Sequence, residues 1–135
     1  MSTILVDTLT GTSTAGSIAV TGEGNSTTTN LQQGLAKAFE IHDDDNTTTL
    51  DSFNISSITD GSTGICSPVF VNNMASVNYF TVGSTGEGTT SFGIISSVRH
   101  GSAATTSTYT YAAVNSANAL TDRNNTMSCN HGDLA

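Results

Sequence analysis

The chain has 135 residues, of which 36% are hydrophobic and 10% charged, and its formal net charge is −8. That length is one domain's worth with room for an arm, and the charged fraction falls well below the about 25% usual in globular domains. Lys37, Arg99 and Arg123 are the only lysine and arginine residues, so the clustered cations that nucleic-acid binding by phosphate neutralisation needs are missing.

Small polar residues fill the composition instead: 24 Thr, 18 Ser, 13 Gly and 12 Asn. Thr favours strands, while Gly, Asn and Ser favour turns, so an all-β protein with a thin core is expected. No apolar run approaches the roughly 18–20 residues that span a bilayer. The opening "MSTILVDTLT" has neither a basic region nor a long apolar one, which argues against a secretion signal and for synthesis in a cytoplasm. Cys66 and Cys129 are too few for a disulfide framework. They read as free thiols, with a bridge left open should their strands be neighbours.

In chain order, residues 1–30 come first and lack aromatic side chains. "ILVDTL" reads as a short apolar strand, "TGTSTAGS" as a spacer, "IAV" as a second apolar patch and "TGEGNSTTTN" as small and polar. Such a stretch cannot close a core alone, so it is expected to be an arm that docks on another chain through Ile4, Leu5, Val6, Leu9, Ile18 and Val20. Residues 31–135 are then the body. "NLQQGLAKAFEIH" carries Leu31, Leu35, Ala38 and Phe39 at helical spacing with Asn30 as N-cap. The preferred reading is a turn of helix leading into a strand through Leu35, Phe39 and Ile41.

From residue 43 the period is two. Phe53 and Ile55 alternate with Ser52 and Asn54, "ISSI" slips by one residue as at a bulge or strand end, and "TDGSTG" supplies a turn. Ile65, Ser67, Val69 and Val71 share one strand face, and Cys66, Pro68 and Phe70 the other. Pro68 lacks a ladder donor, which places its strand at an edge or puts a bulge there. "SVNYFTVG", "TSFGIISSVR", "STYTYAAV" and "TMSCNHG" follow at about one strand per dozen residues.

Chemistry is sparse. "HDDDN" offers Asp43 and Asp45, with Asp51 beyond, to a hard cation. The spacing lacks the glycine and terminal glutamate of a helix-loop-helix calcium site, so a solvated loop is the simpler reading. His42, His100 and His131 lie far apart, without metal-ligand spacing, and read as surface or partly buried residues bonded to loops. A site gathering one His per chain around a three-fold axis is the sharper alternative. No nucleophile elbow occurs, and Cys129 with His131 on one strand face reads as core packing. "GSTGEGTT" lacks the Gly-Lys-Ser/Thr of a phosphate loop and reads as a hairpin loop. "NST", "NTT", "NIS" and "NNT" at Asn25, Asn46, Asn54 and Asn124 match the glycosylation pattern by composition alone. Tyr109 and Tyr111 share a face and are the candidate glycan contacts if exposed, or core residues if not.

"TGEGNSTTTNLQQGLAKAF", "SFNISSITDGSTG", "NYFTVGST" and "HGDLA" resemble small proteins encoded by marine tailed bacteriophages, described as tail-fibre or virion structural proteins. The resemblance covers about the whole chain. Phe39 stands where that family usually has Trp after "LAKA", and "ICSPVF" departs from it through Cys66 and Pro68. It implies a virion component exposed on the particle and trimeric.

The combined expectation is an all-β, small antiparallel β-sandwich or jelly-roll-like body with an extended N-terminal arm, as a homotrimer. The function expected is a non-enzymatic structural protein of the virion surface, either a capsid decoration or head fibre or a tail-fibre subunit. Its partners would be itself and other virion proteins, with recognition of host-surface glycans as the alternative function. No catalytic residue, metal, cofactor, nucleic acid or membrane insertion is assigned.

Overall fold

The computed structural model describes residues 3–12, 18–21, 28–43, 48–86, 96–98 and 104–135. Asp45, His100, Arg99, Asn25, Asn46 and the far half of "GSTGEGTT" lie outside them. The chain divides into two compact units, Met1–Leu35 and Ala36–Ala135.

In the first unit, β1 (Ala19–Thr21) pairs antiparallel with β2 (Thr28–Asn30), Val20 opposite Thr29. A single helical turn, α1 (Leu31–Gly34), follows, with the Leu31 amide donating to the Ile18 carbonyl at 2.8 Å. The strand expected at "ILVDTL" is not formed, and residues 3–12 contain no regular element. Among the described residues no strand pairs with them, and a lone strand leaves its backbone groups to water. Ile4, Leu5, Val6 and Leu9 are all exposed, Leu5 to 89%.

The second unit is all-β with antiparallel sheets. Its first sheet has the order β4 (Thr48–Phe53), β3 (Ala38–Asp43), β10 (Thr126–His131), β7 (Phe80–Thr85). The second has the order β5 (Ile55–Ser62), β6 (Ile65–Phe70), β9 (Tyr111–Ala113), β8 (Ser96–Val98). The helical turn followed by a strand, and the four later strands, fall where periodicity and turn residues place them.

Two local readings need correction. "TDGS" belongs to β5, and the turn is confined to Thr63 and Gly64, the latter at φ 67°. The hairpin takes up the extra residues as register shifts between Ile55 and Ser57 and between Asp60 and Ser62. The first of these is the slip visible in "ISSI". Pro68 is in an interior strand, since β6 pairs with β5 on one side and β9 on the other. Its missing donor is accommodated by a gap: the β6–β9 ladder stops at Cys66↔Tyr111 and resumes as a bridge at Val69↔Thr108. There the Thr108 hydroxyl donates to the Pro68 carbonyl at 2.7 Å.

β4 and β5 are consecutive yet lie in different sheets, and the chain changes sheets at Asn54, which has φ 60°. The apolar core contains Ala38, Cys66, Phe70, Met74, Tyr109 and Tyr111, with Ile55, Ile58, Tyr79, Ala104 and Leu134 packed against it. Phe70 and Tyr79 meet edge to face with centroids 5.6 Å apart, and Tyr109 lies 5.5 Å from Phe70, spacings at which aromatic pairs attract. Cys66 and Cys129 form no disulfide and lie in different sheets.

Candidate functional site

β3 and β10 are hydrogen-bonded neighbours, and both alternate strictly. Along β3, Ala38, Glu40 and His42 are buried while Phe39, Ile41 and Asp43 are half-buried; along β10, Thr126, Ser128 and Asn130 are buried while Met127 is exposed and Cys129 and His131 are half-buried. The sheet therefore turns its polar residues inward and its apolar ones outward. In a strand the two faces exchange by a shift of one residue, so this orientation is a specified property of the fold.

On the inner face Glu40, His42, Ser128, Tyr109 and Tyr111 form one connected hydrogen-bond network, while the buried Asn130 Nδ2 beside it has no hydrogen-bond partner among the described residues. Glu40, His42 and Asn130 have no exposed surface. Glu40 Oε1 accepts from the Ser128 hydroxyl at 2.9 Å, and Glu40 Oε2 is bonded to His42 Nδ1. From the opposite sheet, the Tyr111 hydroxyl reaches His42 Nε2 and the Tyr109 hydroxyl reaches Ser128 Oγ. One proton arrangement satisfies all of them: Tyr111 donates to Nε2, Nδ1–H donates to Glu40, Tyr109 donates to Ser128, and Ser128 donates to Glu40. The imidazole is then neutral and the network carries the single carboxylate charge. Tyr109 is pushed well above the usual phenol range, by burial first and by the Glu40 charge second.

This geometry corrects several expectations. Tyr109 and Tyr111 are 1% and 2% exposed, so they cannot stack on a sugar, and their hydroxyls are spent on the interior. His42 is a fully buried residue bonded to Glu40 and Tyr111, not a surface residue bonded to a loop. Glu40 and Ser128 drew no notice in the sequence, although "AFEIHD" and "TMSCNH" both show the alternation that pairs them. A His–Glu pair with a tyrosine resembles an acid–base relay in composition, but its donors and acceptors are committed to one another.

The outer face is apolar. Cross-strand neighbours Phe53, Phe39, Cys129 and Val82 form one row across all four strands. Ile41 and Met127 form the next row, flanked by Asp51 and Ser84, and His131 lies opposite Phe80. Phe53 is 52% exposed and Phe80 63%, and Phe39 stacks on Phe53 with centroids 6.2 Å apart. A depression of about 400 Å³ lies among Phe39, Ile41, Val82, Met127 and Cys129. Cys129 and His131, expected as core, lie on this outer face, Sγ and Nε2 3.7 Å apart.

Lys37 and Arg123 are buried. Asp51 Oδ1 accepts from the Ser52 amide at 2.8 Å. Among the described residues, no three His, Cys, Asp or Glu side chains gather where one metal ion could be held. No helix among them is long and apolar enough to cross a membrane. The arm residues Ile4, Leu5, Val6, Leu9 and Val20 are exposed and Ile18 is half-buried.

No protein-family model, curated protein or solved structure matches the chain.

Proposed function

We propose that this chain is a non-enzymatic structural protein of a tailed-phage virion surface, with a β-sandwich body that associates with further copies. The observation that carries the assembly reading is the outward apolar face of the β4-β3-β10-β7 sheet. A monomer gains nothing by exposing Phe53, Phe80, Val82 and Met127 together, whereas an assembly buries them. The virion assignment comes from the sequence resemblance. The sandwich reading is supported by Tyr109–Ser128 and Tyr111–His42, which join the inner faces of the two four-stranded sheets.

Two apolar faces that meet each other give a pair; an arm of one copy on the face of the next gives a closed ring, of which the trimer implied by the resemblance is one form. The exposure of Ile4, Leu5, Val6 and Leu9 favours a role for the arm in attachment, either to the particle or to a neighbouring copy. Extended residues can add to a sheet edge through main-chain hydrogen bonds, which need few large side chains. Several such contacts acting together make attachment stable although each is modest. Glycan recognition is not carried forward, because its candidate tyrosines are interior. Synthesis in the host cytoplasm and display on the particle complete the proposal.

The test is a cryo-EM map of the intact particle, with light scattering of the purified chain alongside it. Density for the chain on the capsid or tail, with the sheet face covered, is the expected result. Absence from the particle overturns the virion assignment. A monomer whose face stays solvent-exposed at all concentrations overturns the assembly reading.

A further inference from the structure

We propose that Cys129 and His131 are one half of a zinc site that a second copy of the chain completes, giving a Cys₂His₂ set between two paired outer faces. The inference rests on the reading that this face joins copies of the chain.

The geometry comes first. Zinc holds thiolate at about 2.3 Å and imidazole nitrogen at about 2.0–2.1 Å in a tetrahedron, which separates sulfur from nitrogen by about 3.6 Å. Cys129 Sγ and His131 Nε2 are 3.7 Å apart. That separation, which in the chain is a sulfur–imidazole hydrogen bond, matches the span across one zinc ion. The two residues are i and i+2 on β10, so the strand itself sends them to the same face. Both are half-buried, reachable by an ion yet held among neighbours.

The surroundings favour a thiolate–imidazole site over a hard-ion site. Cys129 lies between Phe39 and Val82, and His131 lies opposite Phe80. These cross-strand neighbours are all apolar and favour soft ligands held away from water over a hydrated hard ion. Two thiolates and two neutral imidazoles around Zn²⁺ sum to zero charge. A neutral cluster between two apolar faces avoids the heavy desolvation penalty of a buried net charge. The negative charge elsewhere on the chain draws cations towards it, and each Cys129 thiol releases its proton to solvent on binding zinc.

The second copy is required by ligand number and by area. The described residues bring no third metal-ligating side chain to this pair, and a two-fold axis beside β10 supplies the missing two at once. Facing sheets stand about 10 Å apart, so the ion at the midplane is about 5 Å from each backbone, within reach of Cys and His. A face four strands wide and six residues long covers roughly 400 Å² at the standard strand spacing and rise. Two such faces bury roughly 800 Å², short of the roughly 1,200 Å² of a stable specific interface. Apolar contact alone gives a weak pair, and the metal makes it firm.

The experiment measures mass by light scattering for the full chain in EDTA and with one zinc per two chains. Cobalt(II) serves as the spectroscopic probe, and Cys129→Ser, His131→Gln and Val82→Glu as variants. The expected result is a zinc-dependent doubling of mass, a thiolate-to-cobalt charge-transfer band with intense tetrahedral visible bands, and one ion per pair. Cys129→Ser and His131→Gln should each weaken zinc binding by more than roughly 100-fold, beyond the loss expected from an outer-shell partner. Val82→Glu should abolish doubling. Association that is equal in EDTA and zinc, lost in Val82→Glu and retained in Cys129→Ser overturns the zinc site while the assembly reading stands. A monomer mass under every condition overturns that reading and the zinc site with it. Zinc uptake unchanged in both ligand variants means adventitious metal and overturns the site.

Discussion

His42 and Tyr111 hydrogen-bond across the two four-stranded sheets, although 69 residues separate them in the chain, and their rings lie 5.6 Å apart. The bond closes a polar interior in which removing one member strands the next. His42→Ala leaves the buried Glu40 carboxylate without the Nδ1–H donor, and because that acceptor is charged the expected loss is about 3 kcal/mol or more. Tyr111→Phe leaves one acceptor on His42 unpaired and is expected to cost about 1–3 kcal/mol. Urea denaturation of the two variants should show the larger loss for His42→Ala. Losses below about 0.5 kcal/mol for both, the range of ordinary surface substitutions, would be inconsistent with a buried network that links the two sheets.

Tyr79 gives the molecule an alkaline limit. Its hydroxyl donates to the Thr105 and Thr108 carbonyls at 3.0 and 3.1 Å, and burial pushes its pKa up to about 12. In the unfolded chain the phenol loses its proton near the ordinary value of about 10. The folded state thus binds the proton more tightly, so the contribution is complete below pH about 10 and is lost as pH rises towards about 12. Thermal melting followed across that window, with tyrosinate absorbance as the readout, should show Tm falling as the phenols ionise. In Tyr79→Phe the decline should be shallower.

Asn54 is the hinge between sheets and holds both sides. Its Nδ2 donates to the Lys37 and Asn72 carbonyls at 3.0 and 3.1 Å, and its Oδ1 accepts from the Asn72 amide at 2.7 Å. Its φ of 60° suits Asn and Gly and strains other residues. Asn54→Gly should cost about 1–3 kcal/mol through lost hydrogen bonds alone. Asn54→Ala should cost about 1 kcal/mol more, because it adds left-handed strain. Equal losses in chemical denaturation would show that the backbone conformation contributes nothing.

Gly64 closes the β5–β6 turn where no side chain fits. A Cβ there would stand 2.6 Å from the Ala113 carbonyl oxygen and 2.6 Å from the Thr121 amide nitrogen, both backbone atoms, at φ 67°. Gly64→Ala should therefore fall at or above about 3 kcal/mol, the upper end for single substitutions. At Gly61 the nearest atoms are Ile65 Cγ2 at 3.1 Å and the Ile65 carbonyl oxygen at 3.3 Å, tight but well short of the overlap at Gly64. Gly61→Ala is expected to be clearly milder in the same denaturation series.

Much of the fold was legible because its causes are local. Strand positions from β6 to β10, the helical turn before β3 and the slip at "ISSI" follow from period two, β-branched residues and Gly or Asn turns. These signals act within a few residues and need no partner. Residues 3–12 depart from expectation because an apolar strand pattern needs a neighbour to become a strand, and none among the described residues pairs with it. Pro68 misled because an interior ladder can open for two residues and resume.

The candidate surface was hidden for a different reason. Alternation in "AFEIHD" and "TMSCNH" divides each strand into two faces, and ordinary hydrophobicity assigns Phe39, Ile41, Met127 and Cys129 to the inside. The tertiary structure assigns them to the outside, because the opposite sheet brings Tyr109 and Tyr111 into the interior with hydroxyls that must be paired. Glu40, His42 and Ser128 supply those partners only if the polar face turns inward. Periodicity in the sequence established that β3 and β10 have two faces; the tyrosines packed across from them decided which one the solvent, or a second copy, meets.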